Sequence, residues 1–383
     1  MSIPVRPTQL VVNLSQLRRN AQAIRARVQP AKLLIMLKAN AYGHGIDGVA
    51  PFIEPDLDYI GVATLEEGVH LRQIGIRKPI LVAGGCLPEQ LAAYLDYDLT
   101  LSVSSPQILD AAQETARAAG RKFKIHLKID TGMERAAVRW YEAEPFLERS
   151  LACRNLEIEG IYSHFANSES LAGDEVLGKE RYSYASRQLD RFQQVLAFYE
   201  KHGQPPPPLR HMANSGAVLN LPESYLDMVR PGVLFYGIYP EDCLRSVEVE
   251  TALTWKSRVV YSKVVRAGSP VSYGSLWAPE QDSRVVTIPC GYADGYFRRM
   301  TNRARIIVNG RKYPQVGRIC MDQCMANLSD DPAEMGDEVI LLGRHKDGEQ
   351  ITPADLAGWM GTNTYEVIIN IGARVPRVFV EEQ

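Results

Sequence analysis

The sequence lacks the features that mark nucleic-acid-binding and membrane proteins. Lysine and arginine, 43 together, nearly balance 45 aspartates and glutamates, so the net charge of -2 creates no broad positive field for phosphate backbones. No segment approaches the roughly 18 consecutive apolar residues that a membrane-spanning helix needs. We therefore expect neither a nucleic-acid partner nor a membrane, and we expect a soluble, cytoplasmic protein.

Cysteine is also scarce, and its spacing excludes a disulfide framework. The six cysteines are Cys86, Cys153, Cys243, Cys290, Cys320 and Cys324. They contain no CxxC pair, which fits a reduced cytosol, and we expect no metal site.

Glycine (29 residues) and proline (23 residues) follow no repeat, and apolar residues make up 45% of the chain. This balance excludes collagen, a coiled coil and a disordered chain. A length of 383 residues predicts two to three domains, or one large barrel with an appendage.

Eight short apolar runs occupy the first two-thirds of the chain and predict eight strands. They are LLIML before Lys38, YIGVAT from Tyr59, PILVAGG from Pro79, LTLSVSS from Leu99, KIHLKID from Lys124, IEGIYSHF from Ile158, LRHMANS from Leu209 and DMVRPG from Asp227. Helix-like segments lie between them, including one from Lys179 to Gly203. Alternation of strand and helix indicates a parallel sheet, and eight units predict a TIM (β/α)8 barrel over residues 1–243.

The pattern changes from about residue 244. Alternating β-rich runs, such as LTWKSRVVYSKVV and DEVILLG, are separated by turn residues. One helical insert is predicted, TPADLAGWMG followed by TNTYEVIINIG, with Thr and Asn as N-caps. Residues 244–383 are therefore expected to form a mostly β C-terminal domain.

Lys38 is the first candidate for chemistry, because barrel enzymes place their sites just beyond the carboxyl ends of the strands. It directly follows the run LLIML. A lysine held at an apolar rim can lose enough hydration to act as a nucleophilic amine. The alternative is a lysine that extends its charged end to water at a strand terminus.

Seven motifs in order decide between these readings. They are MLKANAYGHG, SHFANS, HMANSGA, MVRPGVLFYG, VSYGS, CGYADG and VGRICMDQ. Together they resemble the alanine racemase family over nearly the whole chain. The resemblance implies pyridoxal 5'-phosphate as the cofactor, held as a Schiff base on Lys38.

A racemase needs a base on each face of a planar carbanion. By resemblance these bases are Lys38, assigned to D-alanine, and Tyr273 of VSYGS, assigned to L-alanine. A tyrosine near the reference pKa of about 10 needs a positive or hydrogen-bonding neighbour to serve as a base.

Resemblance also places Arg230 opposite the pyridine nitrogen of the cofactor. Arginine accepts no hydrogen bond and keeps its proton, so that nitrogen stays unprotonated and delocalisation into the ring is restricted. This favours racemisation over transamination. His164 and His211 are implied as members of a hydrogen-bond chain with Tyr273 and Arg230.

The phosphate is expected near the last strands, where barrels often present backbone N–H groups. Asn214, Ser215 and Gly232 occupy these positions, although Asn-Ser-Gly can equally be a plain helix cap. The resemblance adds the hydroxyls of Tyr42 and Tyr365.

For the substrate carboxylate the family's candidate is Arg135, whose planar fork can meet a carboxylate at two points. The chain departs from the family here, with Glu134 in place of a glycine, and Ala136 and Ala137 in place of Leu-Gly. Lys128 matches a lysine that is carbamylated in some members. Cys320, Met321 and Asp322 are assigned to the substrate side, Met321 through its backbone.

The sequence is also consistent with other functions. One is a racemase of broad specificity, acting on serine for example, and another is a protein that binds the cofactor without turnover. Decarboxylases of similar architecture carry an acidic residue where this chain has Arg230. In the family the β domain of one subunit closes the barrel of the other, so the resemblance implies a head-to-tail homodimer.

Overall fold

The computed structural model describes residues 6–169 and 184–382. The strands are β1 (Gln9–Asn13), β2 (Lys32–Met36), β3 (Tyr59–Val62), β4 (Ile80–Val82), β5 (Thr100–Val103), β6 (Phe123–Asp130), β7 (Val138–Arg139), β8 (Leu156–Tyr162), β9 (Leu209–His211), β10 (Met228–Val229), β11 (Leu253–Arg258), β12 (Tyr261–Val265), β13 (Ser283–Ile288), β14 (Arg305–Val308), β15 (Arg311–Pro314), β16 (Cys324–Ser329), β17 (Glu338–Arg344), β18 (Gln350–Ile351) and β19 (Arg377–Val380). The helices are α1 (Leu14–Val28), α2 (Lys38–Tyr42), α3 (Ile46–Ile53), α4 (Leu65–Gln73), α5 (Leu91–Asp96), α6 (Pro106–Ala118), α7 (Ala143–Leu151), α8 (Tyr184–Lys201), α9 (Ser215–Asn220), α10 (Pro353–Met360) and α11 (Thr364–Ile369).

A closed parallel barrel organises the first compact unit, which comprises Leu17–Ala41 and Ile46–Glu250 and is called the barrel unit below. Its strands follow one another in the ring β2-β3-β4-β5-β6-β8-β9-β10, and β10 pairs with β2 to close it. All eight predicted strands are present, so the predicted barrel is confirmed. Most of their residues are buried, as expected for parallel strands covered on both faces.

The helices of the barrel unit begin at side-chain caps that immediately follow the strands. Thr64 and Glu67 form a capping box at the start of α4. The hydroxyl of Ser105 accepts from the N–H of Ile108 at the start of α6. The predicted helix from Lys179 is α8 from Tyr184 onward, and residues 179–183 lie outside the described residues.

The second compact unit comprises Tyr42–Gly45 and Thr251–Gln383 together with the described residues before Leu17, and is called the β unit below. Its larger sheet has the order β15-β14-β17-β11-β1-β19, with β18 paired to β17. A second sheet has the order β12-β13-β16. The mostly β character predicted for the C-terminal part is confirmed, and β1 completes its sheet by pairing with both β11 and β19.

The late helical insert of the β unit consists of two helices, one in each of the two predicted segments. Thr352 caps α10 and Asn363 caps α11, the two residue types predicted for these positions. Within the described ranges, no helix is long and apolar enough to cross a membrane.

Candidate active site

Lys38 lies one residue beyond the buried Leu37, at the carboxyl end of β2. Its side chain is half-buried. Burial, and then the nearby charge of Arg135, lower the pKa of the Lys38 amine, and the carboxylate of Glu67 opposes this effect. A lowered pKa leaves a larger share of the amine unprotonated at neutral pH, which a nucleophilic lysine requires.

A left-handed turn follows Lys38 directly. The φ angles are +52° at Ala39, +55° at Asn40, +53° at Ala41 and +50° at Tyr42. Residues other than glycine rarely adopt this conformation, so the turn needs support from its neighbours. Glu67 Oε1 accepts from the N–H of Ala39 at 2.6 Å, and Asn40 Oδ1 accepts from the N–H of Ile46 at 2.7 Å. These two hydrogen bonds stabilise a strained backbone beside the Lys38 amine. Strained backbone of this kind is common in active sites.

Arg230 lies in the barrel interior beyond β10 and is 5% exposed. Its guanidinium contacts His211 Nδ1 at 2.6 Å and donates to the carbonyl of Ser163 at 2.7 Å. His164 Nδ1 lies 3.4 Å from the same guanidinium. The structure therefore brings together Arg230, His164 and His211, three residues that the sequence placed in one hydrogen-bond chain.

The protonation states of this cluster follow from burial. Burial lowers the pKa of Arg230 to about 10, which still leaves it a cation at neutral pH. Burial, and then the charge of Arg230, lower the pKa of His164 and of His211 well below the usual value. Both imidazoles are therefore neutral and can accept from the guanidinium.

Ser215 and Gly232 meet although they follow different strands. The Ser215 hydroxyl oxygen accepts from the N–H of Gly232 at 2.9 Å and from the N–H of Leu234 at 3.3 Å. Asn214 caps α9 by accepting from the N–H of Ala217. The Ser215 hydroxyl is thus held by two backbone N–H groups and keeps its own hydrogen to donate, which suits the phosphate site that the sequence predicts.

Arg135 is exposed on the turn that follows β6. The carboxylate of Asp130 shapes this turn by accepting from the backbone N–H groups of Gly132, Met133, Glu134 and Arg135. Glu134 has a φ of +50°, so this chain carries an acidic side chain in a left-handed position where the family has glycine. A cleft of ≈ 490 Å³ opens beside Arg135.

Lys128 projects from β6 and donates to the carbonyl of Ala83 at 3.2 Å. Burial, followed by the charges of Arg135 and Arg230, lowers the pKa of its amine to about 8, and Lys38 adds to this effect. Lys128 thus lies within electrostatic range of three other basic groups of the barrel unit, Lys38, Arg135 and Arg230. A bound anion would relieve their mutual repulsion.

The remaining predicted residues lie in the β unit. Tyr273 is 71% exposed and Met321 is 52% exposed. Cys320 is half-buried, with its Sγ 3.4 Å from the hydroxyl of Ser272, the residue before Tyr273. The exposed Asp322 forms an ion pair with Arg374 at 2.8 Å. Tyr273, Cys320 and Met321 therefore belong to one region of this unit.

Tyr42 and Tyr365 also meet within the β unit, with ring centroids 6.4 Å apart. Tyr42 is buried, at 7% exposure. The pairing brings together the two hydroxyl-bearing side chains that the resemblance assigned to the phosphate.

Sequence reasoning missed two inward-facing rings of the barrel, Tyr162 and His126. Tyr162 stacks on His211 at a centroid distance of 4.8 Å and lies beneath Arg230, whose guanidinium carbon is 4.9 Å from the ring centroid. A signal was available in β6, where Lys124, His126, Lys128 and Asp130 place a polar residue at every second position. Residues two apart share one face of a strand.

These features are typical of a barrel enzyme with a half-buried lysine at its rim and a cluster of basic side chains nearby. The family described as "Alanine racemase, N-terminal domain" matches residues 12–240, and "Alanine racemase, C-terminal domain" matches residues 252–379. This chain therefore belongs to the alanine racemase family.

Individual relatives cover almost the full length. The alanine racemase of Carboxydothermus hydrogenoformans is 39% identical over 380 residues, covering 98% of this chain and 100% of that protein. The alanine racemase of Clostridium difficile 630 has a TM-score of 0.90 at 33% identity, with coverage of 99% of this chain and 97% of that one. The structure of the Bartonella henselae enzyme, with covalently bound pyridoxal phosphate, has a TM-score of 0.87 at 25% identity and covers 98% of this chain and 100% of that one.

Proposed function

We propose that this chain is a pyridoxal 5'-phosphate-dependent alanine racemase that interconverts L-alanine and D-alanine by a two-base mechanism. The observation that carries this function is the half-buried Lys38 at the barrel rim, whose lowered pKa comes from burial and from Arg135. The D-alanine formed would supply peptidoglycan. In this division of labour residues 1–243 bind the cofactor and residues 244–383 supply the second base.

The residues of the barrel unit fit this cofactor. Lys38 offers the amine that would hold it, and the hydroxyl of Ser215, which the N–H of Gly232 holds in place, would donate to its phosphate. The buried Arg230 would face the ring nitrogen and would keep it unprotonated, since arginine neither accepts a hydrogen bond nor gives up its proton there. Asn214 and His164 would add to the binding site within this unit, and the hydroxyls of Tyr42 and Tyr365, which belong to the β unit, are proposed as further donors to the phosphate.

When bound, pyridoxal phosphate supplies the electron sink that acidifies the Cα–H of an amino acid joined to it. The amine of Lys38 then moves the Cα proton on one face, the D-alanine side. The hydroxyl of Tyr273 moves it on the opposite face, the L-alanine side. Arg135 would bind the substrate carboxylate, with Met321 and Asp322 on the substrate side, and His211, Lys128 and Cys320 would support these groups.

Exchange of the alanine Cα proton with deuterated water tests turnover directly. We expect exchange and racemisation with the cofactor-loaded protein, and neither with Lys38→Ala. Binding of the cofactor without exchange would show a binding protein instead. Activity on serine comparable to that on alanine would replace the narrow specificity by the broad one.

The exposure of Tyr273 and Met321 supports a head-to-tail homodimer in which this region completes the barrel of a second copy. Mixed dimers of Lys38→Ala and Tyr273→Phe test this arrangement. If the tyrosine acts on the other subunit, each mixed dimer keeps one complete site, so about half the dimers and about a quarter of all sites recover activity. No recovery, with mixed dimers shown to be present, would contradict the shared site.

A cytoplasmic location is supported by the cysteines. All six are free, and four of them are at least partly accessible. Free thiols persist in a reducing compartment. Fractionation of cells that express the protein without added targeting segments tests this assignment.

A further inference from the structure

A row of buried polar side chains continues from Arg230 deeper into the barrel. His211 Nδ1 contacts Arg230 at 2.6 Å, and the opposite nitrogen, Nε2, lies 2.8 Å from Nδ1 of His126. The far nitrogen of His126, Nε2, lies 4.0 Å from Oε2 of Glu159. Both histidines are fully buried. The row therefore joins the cation of the candidate active site to a carboxylate through two imidazoles.

The end of the row at Glu159 is a second polar group. Its Oε2 accepts from the hydroxyl of Tyr59 and from the hydroxyl of Thr100, each at 3.1 Å. Tyr59, Glu159 and Leu209 line a cleft of ≈ 500 Å³ that also includes Lys32, at the amino-terminal end of β2. Glu159 thus lies towards the end of the barrel opposite to Lys38.

An irregularity in the pairing of β8 with β6 turns Glu159 towards this row. Ile125 pairs with Ile158 and His126 pairs with Gly160, so the register shifts and Glu159 has no partner on β6. Such a bulge changes the direction in which a side chain points. Without it, alternation would direct Glu159 to the face opposite to that of Gly160 and Tyr162.

Gly160 provides the space for the His126 ring. A Cβ atom at this position would lie 2.7 Å from Nδ1 of His126 and 2.8 Å from its Cε1. Contacts this short do not occur, so any larger residue would displace the imidazole. The bulge and the glycine together are a local adaptation for two side chains, His126 and Glu159.

The direction of every proton in the row follows from Arg230. Arginine has donors only, so Nδ1 of His211 must accept, and the proton of this neutral imidazole lies on Nε2. That N–H donates to Nδ1 of His126, which places the second proton on Nε2 of His126. This last N–H faces the carboxylate of Glu159. Within the described residues it has no hydrogen-bond partner, and at 4.0 Å what remains is the attraction between the N–H dipole of the neutral ring and the charge of the carboxylate.

We propose that His126 and Glu159 are positioning residues that hold His211 in its Nε2–H tautomer and thereby fix the orientation of Arg230. The role of these residues in catalysis rests on the proposed function, whereas the assignment of the two histidine tautomers does not. Burial, and then the charge of Arg230, lower the pKa of His126 to about 3, so a neutral imidazole is available for this role. With the opposite tautomer of His211, two donors would meet at 2.6 Å and Arg230 would lose this partner.

The tautomers can be measured in the loaded enzyme without any substrate. We would label histidine with 15N, record long-range proton-nitrogen correlations at neutral pH, and assign the two rings with His126→Asn and His211→Asn. Both rings are expected to be neutral and protonated at Nε2. An Nδ1–H tautomer or a charged ring at either position would overturn the proposal. Glu159→Gln should move the Nε2 resonance of His126, and an unchanged resonance would remove Glu159 from the row.

Two substitutions at His126 separate positioning from packing. In His126→Asn the side-chain oxygen can replace Nδ1 as acceptor, whereas His126→Leu leaves the N–H of His211 without one. We expect His126→Leu to lower kcat by about tenfold, with KM for alanine changed by less than about twofold, and His126→Asn to retain most of kcat. Leu127→Val, on the opposite face of the same strand, should leave kcat unchanged.

The possible results separate this proposal from the function. Equal values of kcat for the Leu and Asn variants would show that the acceptor at His126 has no positioning role. The expected tautomers in a protein that does not racemise alanine would contradict the function and leave the row intact. Racemase activity together with the opposite tautomers would contradict only the positioning role proposed for His126 and Glu159.

Discussion

Acid should destabilise this protein through histidines that are buried in neutral form, and His126 offers the clearest measurement. Burial is the largest cause that lowers the pKa of His126, His164 and His211 in the folded chain. In the unfolded chain each imidazole has a pKa of about 6.5. At pH values between the lowered pKa of the folded chain and the pKa of about 6.5 of the unfolded chain, the unfolded state binds more protons than the folded state. The contribution of these histidines to the free energy of unfolding is therefore fully present above about pH 6.5 and is lost as the pH falls.

The magnitude follows from the number of protons. Each histidine that is charged only in the unfolded chain contributes about 1.4 kcal/mol of unfolding free energy per pH unit. The three histidines whose pKa values are lowered in the folded chain together predict a slope of about 4 kcal/mol per pH unit below pH 6. For His126 the window extends down to a folded pKa of about 3. Asp130 and Asp294 have lowered pKa values in the folded chain, so their contributions are lost at lower pH.

A difference measurement isolates His126. The free energy of unfolding in denaturant would be measured from pH 6 to 4.5 for the wild type and His126→Asn, at fixed protein and cofactor concentrations. The excess stability of the wild type should shrink by about 1.4 kcal/mol per pH unit as the pH falls. Leu127→Val removes no titratable group, so its difference from the wild type should not change with pH. A difference for His126→Asn that is equally flat would refute the assignment of a buried neutral imidazole.

Three further substitutions test the site. Lys38→Ala should abolish both racemisation and the visible absorption of the bound cofactor, and a variant that kept the absorption would place the covalent attachment elsewhere. Arg230→Glu should slow racemisation and raise the share of transamination, since a carboxylic acid can protonate the ring nitrogen; an unchanged ratio of the two reactions would contradict this role. Glu134→Gly should raise the free energy of unfolding by about 1 kcal/mol, because it relieves a left-handed φ at the loss of an exposed ion pair with Arg139. Glu134→Ala removes the same ion pair but keeps the Cβ, and a gain as large as that of glycine would show that backbone strain is not the cause.

Features set by near neighbours could be read from the sequence. The eight barrel strands follow from short apolar runs between helical segments, because a parallel strand covered on both faces must be apolar along its length. The caps Thr352 and Asn363 follow from side chains that bond N–H groups only three residues away. The position of Lys38 at the barrel rim follows from the strand immediately before it.

Features that depend on distant residues appeared only in the folded chain. The left-handed turn after Lys38 is supported by Glu67, and nothing in the string KANAY indicates four consecutive positive φ angles. Likewise β1 joins strands near the other end of the chain, because register and hydrogen bonding, not proximity in sequence, select its partners.

The row from Arg230 to Glu159 is the clearest example of a feature that depends on distant residues. His126 and His211 are 85 positions apart, and neither residue alone indicates the other. Their meeting requires the barrel to close, Gly160 to leave room and the bulge in β8 to turn Glu159 inward. The sequence by itself determined which side chains could carry charge and protons. Tertiary structure decided which of them are buried together, and burial sets their pKa values and tautomers.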